Sequence, residues 1–167
     1  MTAVSLDRFN ALPAPDAERE LLNCCASRAW ARAVAADRPY PGSAALAAAG
    51  DAVLAELPWP DIAEALGAHP RIGQRAAGTG RDAAWSRREQ AGVEGADAAV
   101  RGALAEANRE YEQRFGHVFL IFATGRTPAE MLTAARARLA HDEPTERRVV
   151  RDELAKIIRL RLERLVG

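Results

Sequence analysis

Apolar residues recur along most of this chain at spacings of three and four, the period at which side chains share one face of a helix. A short amphipathic turn begins at Ser5 and carries Leu6, Phe9 and Leu12 until Pro13 and Pro15 break it. Asp16 is placed to cap a second helix through Leu21, Leu22 and Cys25. Ser27 to Asp37 continues as an Ala-rich helix that ends before the loop Arg38-Pro39-Tyr40-Pro41-Gly42. Ser43 caps a helix through Leu46, Val53, Leu54 and Leu57, and a short helix follows from about Pro60 to Leu66. Gly67 to Gly80 reads as a loop rich in Gly and Arg. Ser86-Arg87-Arg88-Glu89 has the form of a capping box, and a long helix from about Ala96 to Phe115 closes at Gly116. Thr127-Pro128-Ala129-Glu130 is a second capping box with proline at the first helical position, and a last helix starts near Thr145. Only Val118 to Phe122 reads as a strand, and one strand makes no sheet. The pattern predicts an all-α fold, a single-domain bundle of about eight helices over residues 1–167.

Composition narrows the function classes. A length of 167 residues suffices for one full core. Lys plus Arg and Asp plus Glu number 23 each, so no net charge points to nucleic acid or an anionic membrane. The longest apolar run, Val118 to Ala123, is far too short to span a bilayer. The start MTAVSLDRFN lacks the pattern of a secretory signal. Cys24 and Cys25 are helix neighbours that point different ways, which disfavours a disulfide and fits a reducing, cytoplasmic compartment. His69, His117 and His141 are scattered without metal-ligand spacing, so no metal is expected. Lys156 is the single lysine, the one side chain able to form a Schiff base, and no phosphate-cradling glycine motif occurs. An enzyme of this composition is expected to work without a bound organic cofactor.

Three places carry candidate chemistry. In Ala68-His69-Pro70-Arg71-Ile72-Gly73, Gly67 and Pro70 end a helix, and the proline holds His69 in an extended or turn conformation. His69 is therefore either a fixed catalytic imidazole or a helix-end cap. Glu89 is either a catalytic carboxylate or the third position of its capping box. The last helix gives the sharpest signal. With Leu154 at the centre of the buried stripe, Val150, Ile157, Ile158 and Leu165 fall within about 60° of it, and Arg161 within about 20°. Lys156, Arg159 and Glu163 point away. A guanidinium on the core side is costly without an anion. Arg161 is thus either half of a structural ion pair, a side chain that snorkels outward, or a fork held for an anionic ligand.

Four segments in order and in register, AHPRIG (68–73), SRREQ with the following AG (86–92), NREYEQRFGHVFLIFATGRT (108–127) and ELAKIIRLRLERL (153–165), resemble the 2-oxo-4-hydroxy-4-carboxy-5-ureidoimidazoline (OHCU) decarboxylases of urate degradation. The stretch from Asn23 to Tyr40 is similar to that family as well, so the resemblance covers nearly the whole chain. It implies an all-helical, cofactor-free, usually dimeric carboxy-lyase that converts OHCU to (S)-allantoin and carbon dioxide. By the matching motifs, it implies His69 and Glu89 as catalytic residues and Arg161 as the substrate-binding arginine. Pro70, the run Ser86, Arg87, Arg88, Glu89 and Gln90, and the run Phe119, Leu120, Ile121, Phe122 and Ala123 match segments that contact substrate. The chain departs from the family at Phe122, where a cysteine is expected, and at His117, where an aromatic is common; His117 is either a second acid of the pocket or, the expectation here, a surface residue. The rival expectation is a non-catalytic helical module that binds allantoin or a related ureide; it would keep Arg161 but not need His69.

Overall fold

The computed structural model describes residues 4–73, 80–91 and 98–167, which contain nine helices and no strand. The all-α expectation holds. The chain divides into two compact units, one comprising residues up to Ala65 with Ala155–Gly167, the other Leu66–Leu154. Among the described residues no helix is long and apolar enough to cross a membrane.

In the first unit, Ser5 caps α1 (Leu6–Ala11) by accepting the Arg8 N–H at 3.2 Å. Helix α2 (Ala14–Leu22) starts earlier than predicted and ends sooner. Pro15 costs nothing in a first turn, whose N–H groups lack partners anyway, so Asp16 lies inside that turn and bonds Arg19 at 2.9 Å. Ser27 caps α3 (Arg28–Ala36) through the Trp30 N–H at 3.2 Å. Helix α4 (Ser43–Glu56) has Gly42, not Ser43, at its cap, and α5 spans Trp59–Leu66. The buried residues include Phe9, Leu21, Trp30, Val34, Leu46, Leu54 and Ile62, with Ile158, Leu162 and Leu165 from the end of α9 (Glu143–Val166). Gly50 is needed for a close approach. A Cβ there would come within 3.2 Å of Leu162 and 3.3 Å of Trp30, whose indole N–H donates to the Gly50 carbonyl at 3.0 Å. Arg38 ties off α1, donating from Nη1 to the carbonyls of Phe9 and Leu12 at 2.7 and 2.8 Å, where a cation suits the helix dipole.

Cys24 and Cys25 are free and buried, past the end of α2. Burial pushes the Cys25 thiol from 9.0 up to about 12, outweighing the Ser27 backbone hydrogen bond and the Arg161 charge. Because the folded state holds this proton more tightly than the unfolded chain, the stability it lends is intact below pH 9 and lost as pH rises towards 12. Thermal melts are expected to show an alkaline fall in Tm that is shallower for Cys25→Ala. An identical slope in both proteins would remove Cys25 as its source.

The second unit contains α6 (Arg81–Glu89), α7 (Ala98–Phe115), α8 (Pro128–Arg138) and the start of α9. Its core joins Ile72, Leu104, Ala107, Tyr111, Phe119, Ile121, Ala123, Met131 and Ala135. Gly116 ends α7 in a left-handed conformation (φ +79°) that a side chain would strain. Residues 118–123 form neither helix nor strand. Half of the capping box at the head of α8 forms: Thr127 Oγ1 accepts the Glu130 N–H at 3.1 Å, with Pro128 in the first turn. Asp142 Oδ1 accepts from the Thr145 N–H at 2.8 Å, so α9 begins before Thr145. Ser86 and Glu89 do not form a capping box. Gly80 caps α6, and the two residues occupy its last turn.

Candidate active site

The loop that carries His69 follows α5 directly. Gly67 and Ala68 turn, His69 closes onto Leu66 (N–H to carbonyl, 3.0 Å), and Pro70 prevents the helix from resuming. His69 and Pro70 are half-buried. Three contacts within the second unit clamp the rest of the loop. Asn108 Nδ2 donates to the Ile72 carbonyl at 2.7 Å. Arg71 holds Glu112 with two bonds of 2.6 and 3.1 Å. The Gly73 N–H donates to Gln90 Oε1 at 2.9 Å, which ties this loop to the end of α6. The parts of the loop from residue 74 to 79 and of the next from 92 to 97 lie outside the described residues.

On α6, residues 86, 89 and 90 share one face at spacings of three and four, whereas Arg87 and Arg88 turn away from it. Ser86 and Glu89 are buried, Arg87 and Gln90 half-buried, and Arg88 exposed. The run 86–90 therefore does not present all five side chains in one direction, and Gln90 uses its oxygen on Gly73. Glu89 is 8% exposed and is the last residue of its helix. A carboxylate there faces the negative end of the helix dipole, the reverse of what a cap provides. The capping account of Glu89 is thereby removed.

Residues 119–123 contribute backbone. Phe119, Leu120, Ile121 and Ala123 are buried and Phe122 is half-buried. The Phe122 N–H donates to Glu153 Oε1 at 3.3 Å, and its carbonyl accepts from Arg126 Nε at 3.0 Å. Ile121 is 4% exposed, yet among the described residues neither its N–H nor its carbonyl has a partner. Buried backbone groups are nearly always paired, which sets this peptide apart from its neighbours. His117 is not a surface residue: its ring is half-buried, 5.5 Å from the Tyr111 ring and 6.2 Å from Phe115, with Nδ1 3.0 Å from the Val118 carbonyl.

Arg161 belongs to the first unit and is 4% exposed, as its place on the helical wheel requires. Nη1 donates to the Asn23 carbonyl at 3.2 Å. Lys156, Arg159 and Glu163 on the same helix are exposed. The snorkelling account of Arg161 fails on this burial. Among the described residues no three His, Cys, Asp or Glu side chains are grouped as metal ligands.

The family model for OHCU decarboxylase matches residues 10–163. This chain belongs to the OHCU decarboxylase family. It is 33% identical over 139 residues to the 2-oxo-4-hydroxy-4-carboxy-5-ureidoimidazoline decarboxylase of Bos taurus, covering 82% of each. With the enzyme of the same name from Amia calva it shares 31% over 138 residues, 81% of this chain and 79% of that one. It is also 32% identical over 152 residues to the uric acid degradation bifunctional protein TTL of Arabidopsis thaliana, covering 89% of this chain but only 47% of that protein. The chain thus spans about half the length of that bifunctional relative. A solved structure of an OHCU decarboxylase in the presence of (S)-allantoin superposes with a TM-score of 0.77 at 28% identity, covering 88% of this chain and 96% of that one. The family read from four motifs is the family found.

Two features of this OHCU decarboxylase family member escaped sequence reasoning. Asn108 and Glu112, which hold the His69 loop, read as ordinary polar positions of a long helix. Arg138 and Glu146, both buried, sit near helix ends where charges read as caps. Only a count of charges on core-facing positions, as for Arg161, could have found them.

Proposed function

We propose that this chain decarboxylates OHCU to (S)-allantoin with no metal or organic cofactor, as one catalytic domain over residues 1–167, a cytoplasmic homodimer in the pathway that degrades urate. The observation that carries this reading is the OHCU decarboxylase match over 10–163, which spans every residue assigned a role below. Two buried free thiols support a reducing compartment. The dimer follows from what is usual in the family.

The substrate chemistry explains why so few residues suffice. Cleavage of the bond to the carboxylate leaves an electron pair, which the conjugated C=N of the ring accepts. The hydroxyl carbon then becomes a carbonyl, and a proton is delivered to one face of the ureido-bearing carbon. The protein must hold the anion, stabilise the charge that spreads over the ring, and supply that proton from one side. Arg161 is assigned the anionic group, for which its planar fork is suited. His69 is assigned the proton, and Glu89 the control of its charge and tautomer. Pro70 keeps the imidazole in place, and the buried Ser86 and the unpartnered Ile121 peptide support the roles of 86–90 and 119–123 in substrate contact.

OHCU generated fresh from urate by urate oxidase and hydroxyisourate hydrolase tests the reading. The purified chain, with chelator and without cofactor, is expected to produce the circular dichroism of (S)-allantoin much faster than OHCU decays alone. An unchanged, optically silent decay would overturn it, and titration with allantoin would then reveal a binding module.

A further inference from the structure

Glu146 is fully buried in the second unit and has no place in the proposed chemistry. Its Oε1 accepts from the Tyr111 hydroxyl at 2.5 Å and from Arg138 Nε at 2.7 Å, while His141 Nδ1 lies 3.0 Å from Oε2. Arg138 Nη2 is 2.5 Å from the same Oε1 without the alignment of a hydrogen bond. Burial, then the bond to Glu146, pushes the Tyr111 hydroxyl well above its ordinary range, so it stays a donor. Arg138, 5% exposed, aims its remaining arm elsewhere: Nη1 donates to the Leu120 carbonyl at 2.6 Å. Its guanidinium also lies 4.6 Å from the centre of the Phe119 ring.

Side chains hold the main chain of 119–123 at two residues: Arg138 meets the Leu120 carbonyl, and Glu153 and Arg126 meet the Phe122 N–H and carbonyl. Ile121 lies between them, and its two peptide groups have no partner among the described residues. A buried ion pair is a poor source of net stability, since a well-packed apolar substitute is often as good or better. What the Glu146–Arg138 pair supplies instead is a donor fixed in direction against the Leu120 carbonyl.

We propose that Arg138, braced by Glu146, is a positioning residue for substrate recognition: it sets the height and rotation of 119–123 so that the Ile121 peptide meets the ligand's amide-like N–H and carbonyl. This rests on the reading that 119–123 contacts substrate. Lysine at 138 keeps the charge beside Glu146 but loses the fork that reaches Leu120 as well. Arg138→Lys is expected to raise KM about tenfold with kcat within about threefold, the signature of lost substrate binding. Leu104→Val, a core lesion in the same unit, is expected to lower Tm and leave KM unchanged. A lower Tm with unchanged KM for Arg138→Lys as well would overturn the proposal. If that variant fails to fold, Glu146→Gln takes its place, with a rise of about threefold in KM expected and an unchanged KM overturning. Ile121→Pro separates the two layers, because it removes the unpartnered N–H without breaking an internal bond. An unchanged KM there would overturn the reading of 119–123 itself. A raised KM there beside an unchanged KM in Arg138→Lys would overturn the positioning role alone.

Discussion

His69→Ala is expected to lower kcat by a factor between about 10² and 10⁴, the usual worth of a positioned acid or base, while Tm changes little. The imidazole is half-buried at the end of α5, and the loop around it keeps four bonds that do not use the ring: the His69 N–H on Leu66, Asn108 on Ile72, Glu112 on Arg71 and Gln90 on Gly73. Truncation at Cβ leaves every one of those bonds in place. The surviving activity should also lose its handedness, since nothing else is assigned the proton on one face. Initial rates and circular dichroism of the product check both points. A variant that still makes enantiopure (S)-allantoin near the normal rate would end the assignment of His69 as proton donor.

Arg161→Ala is expected to lower kcat/KM on the order of 10- to 100-fold, the equivalent of one or two hydrogen bonds to a charged group. Most of the loss should fall on KM. The cost to folding is smaller, about 1 kcal/mol, because the part-buried Asn23 carbonyl loses a donor at 3.2 Å and one hydrogen bond is worth about that much. Arg161→Lys should preserve the fold and recover only part of the binding, since a single ammonium does not grip a carboxylate with two parallel bonds. A large drop in Tm with kcat/KM unchanged would make Arg161 a structural residue.

What was legible in the sequence follows from how much of each buried face is apolar. Arg161 was visible because five aliphatic neighbours on α9 defined the stripe in which it lies. His69 was visible because glycine and proline punctuate its loop. Helix α6 was misjudged because its buried face is Ala83, Trp85, Ser86 and Glu89, half of it polar, so no hydrophobic period marks the true start at Arg81. The serine and glutamate then mimicked a cap. Arg138 and Glu146 were hidden for the same reason: each reads as a solvated charge until its partner, brought by another helix, is known. Residues 118–122 looked like a strand because an uninterrupted apolar run is what a strand requires locally; the missing requirement, a neighbour to pair with, is not local.

The distant side-chain partners of 119–123 also govern when this region can form during synthesis. The donor for the Leu120 carbonyl is 18 residues downstream and the acceptor for the Phe122 N–H is 31. A nascent chain emerging in order from the ribosome has exposed the segment before either arrives. Until α8 and the first half of α9 have been made, the apolar run Val118 to Ala123 lacks the side-chain partners of its Leu120 carbonyl and Phe122 N–H, the kind of exposed apolar backbone that other chains add to. Translation pauses or truncations between Phe122 and Glu153 therefore leave that run without the partners it has in the folded protein.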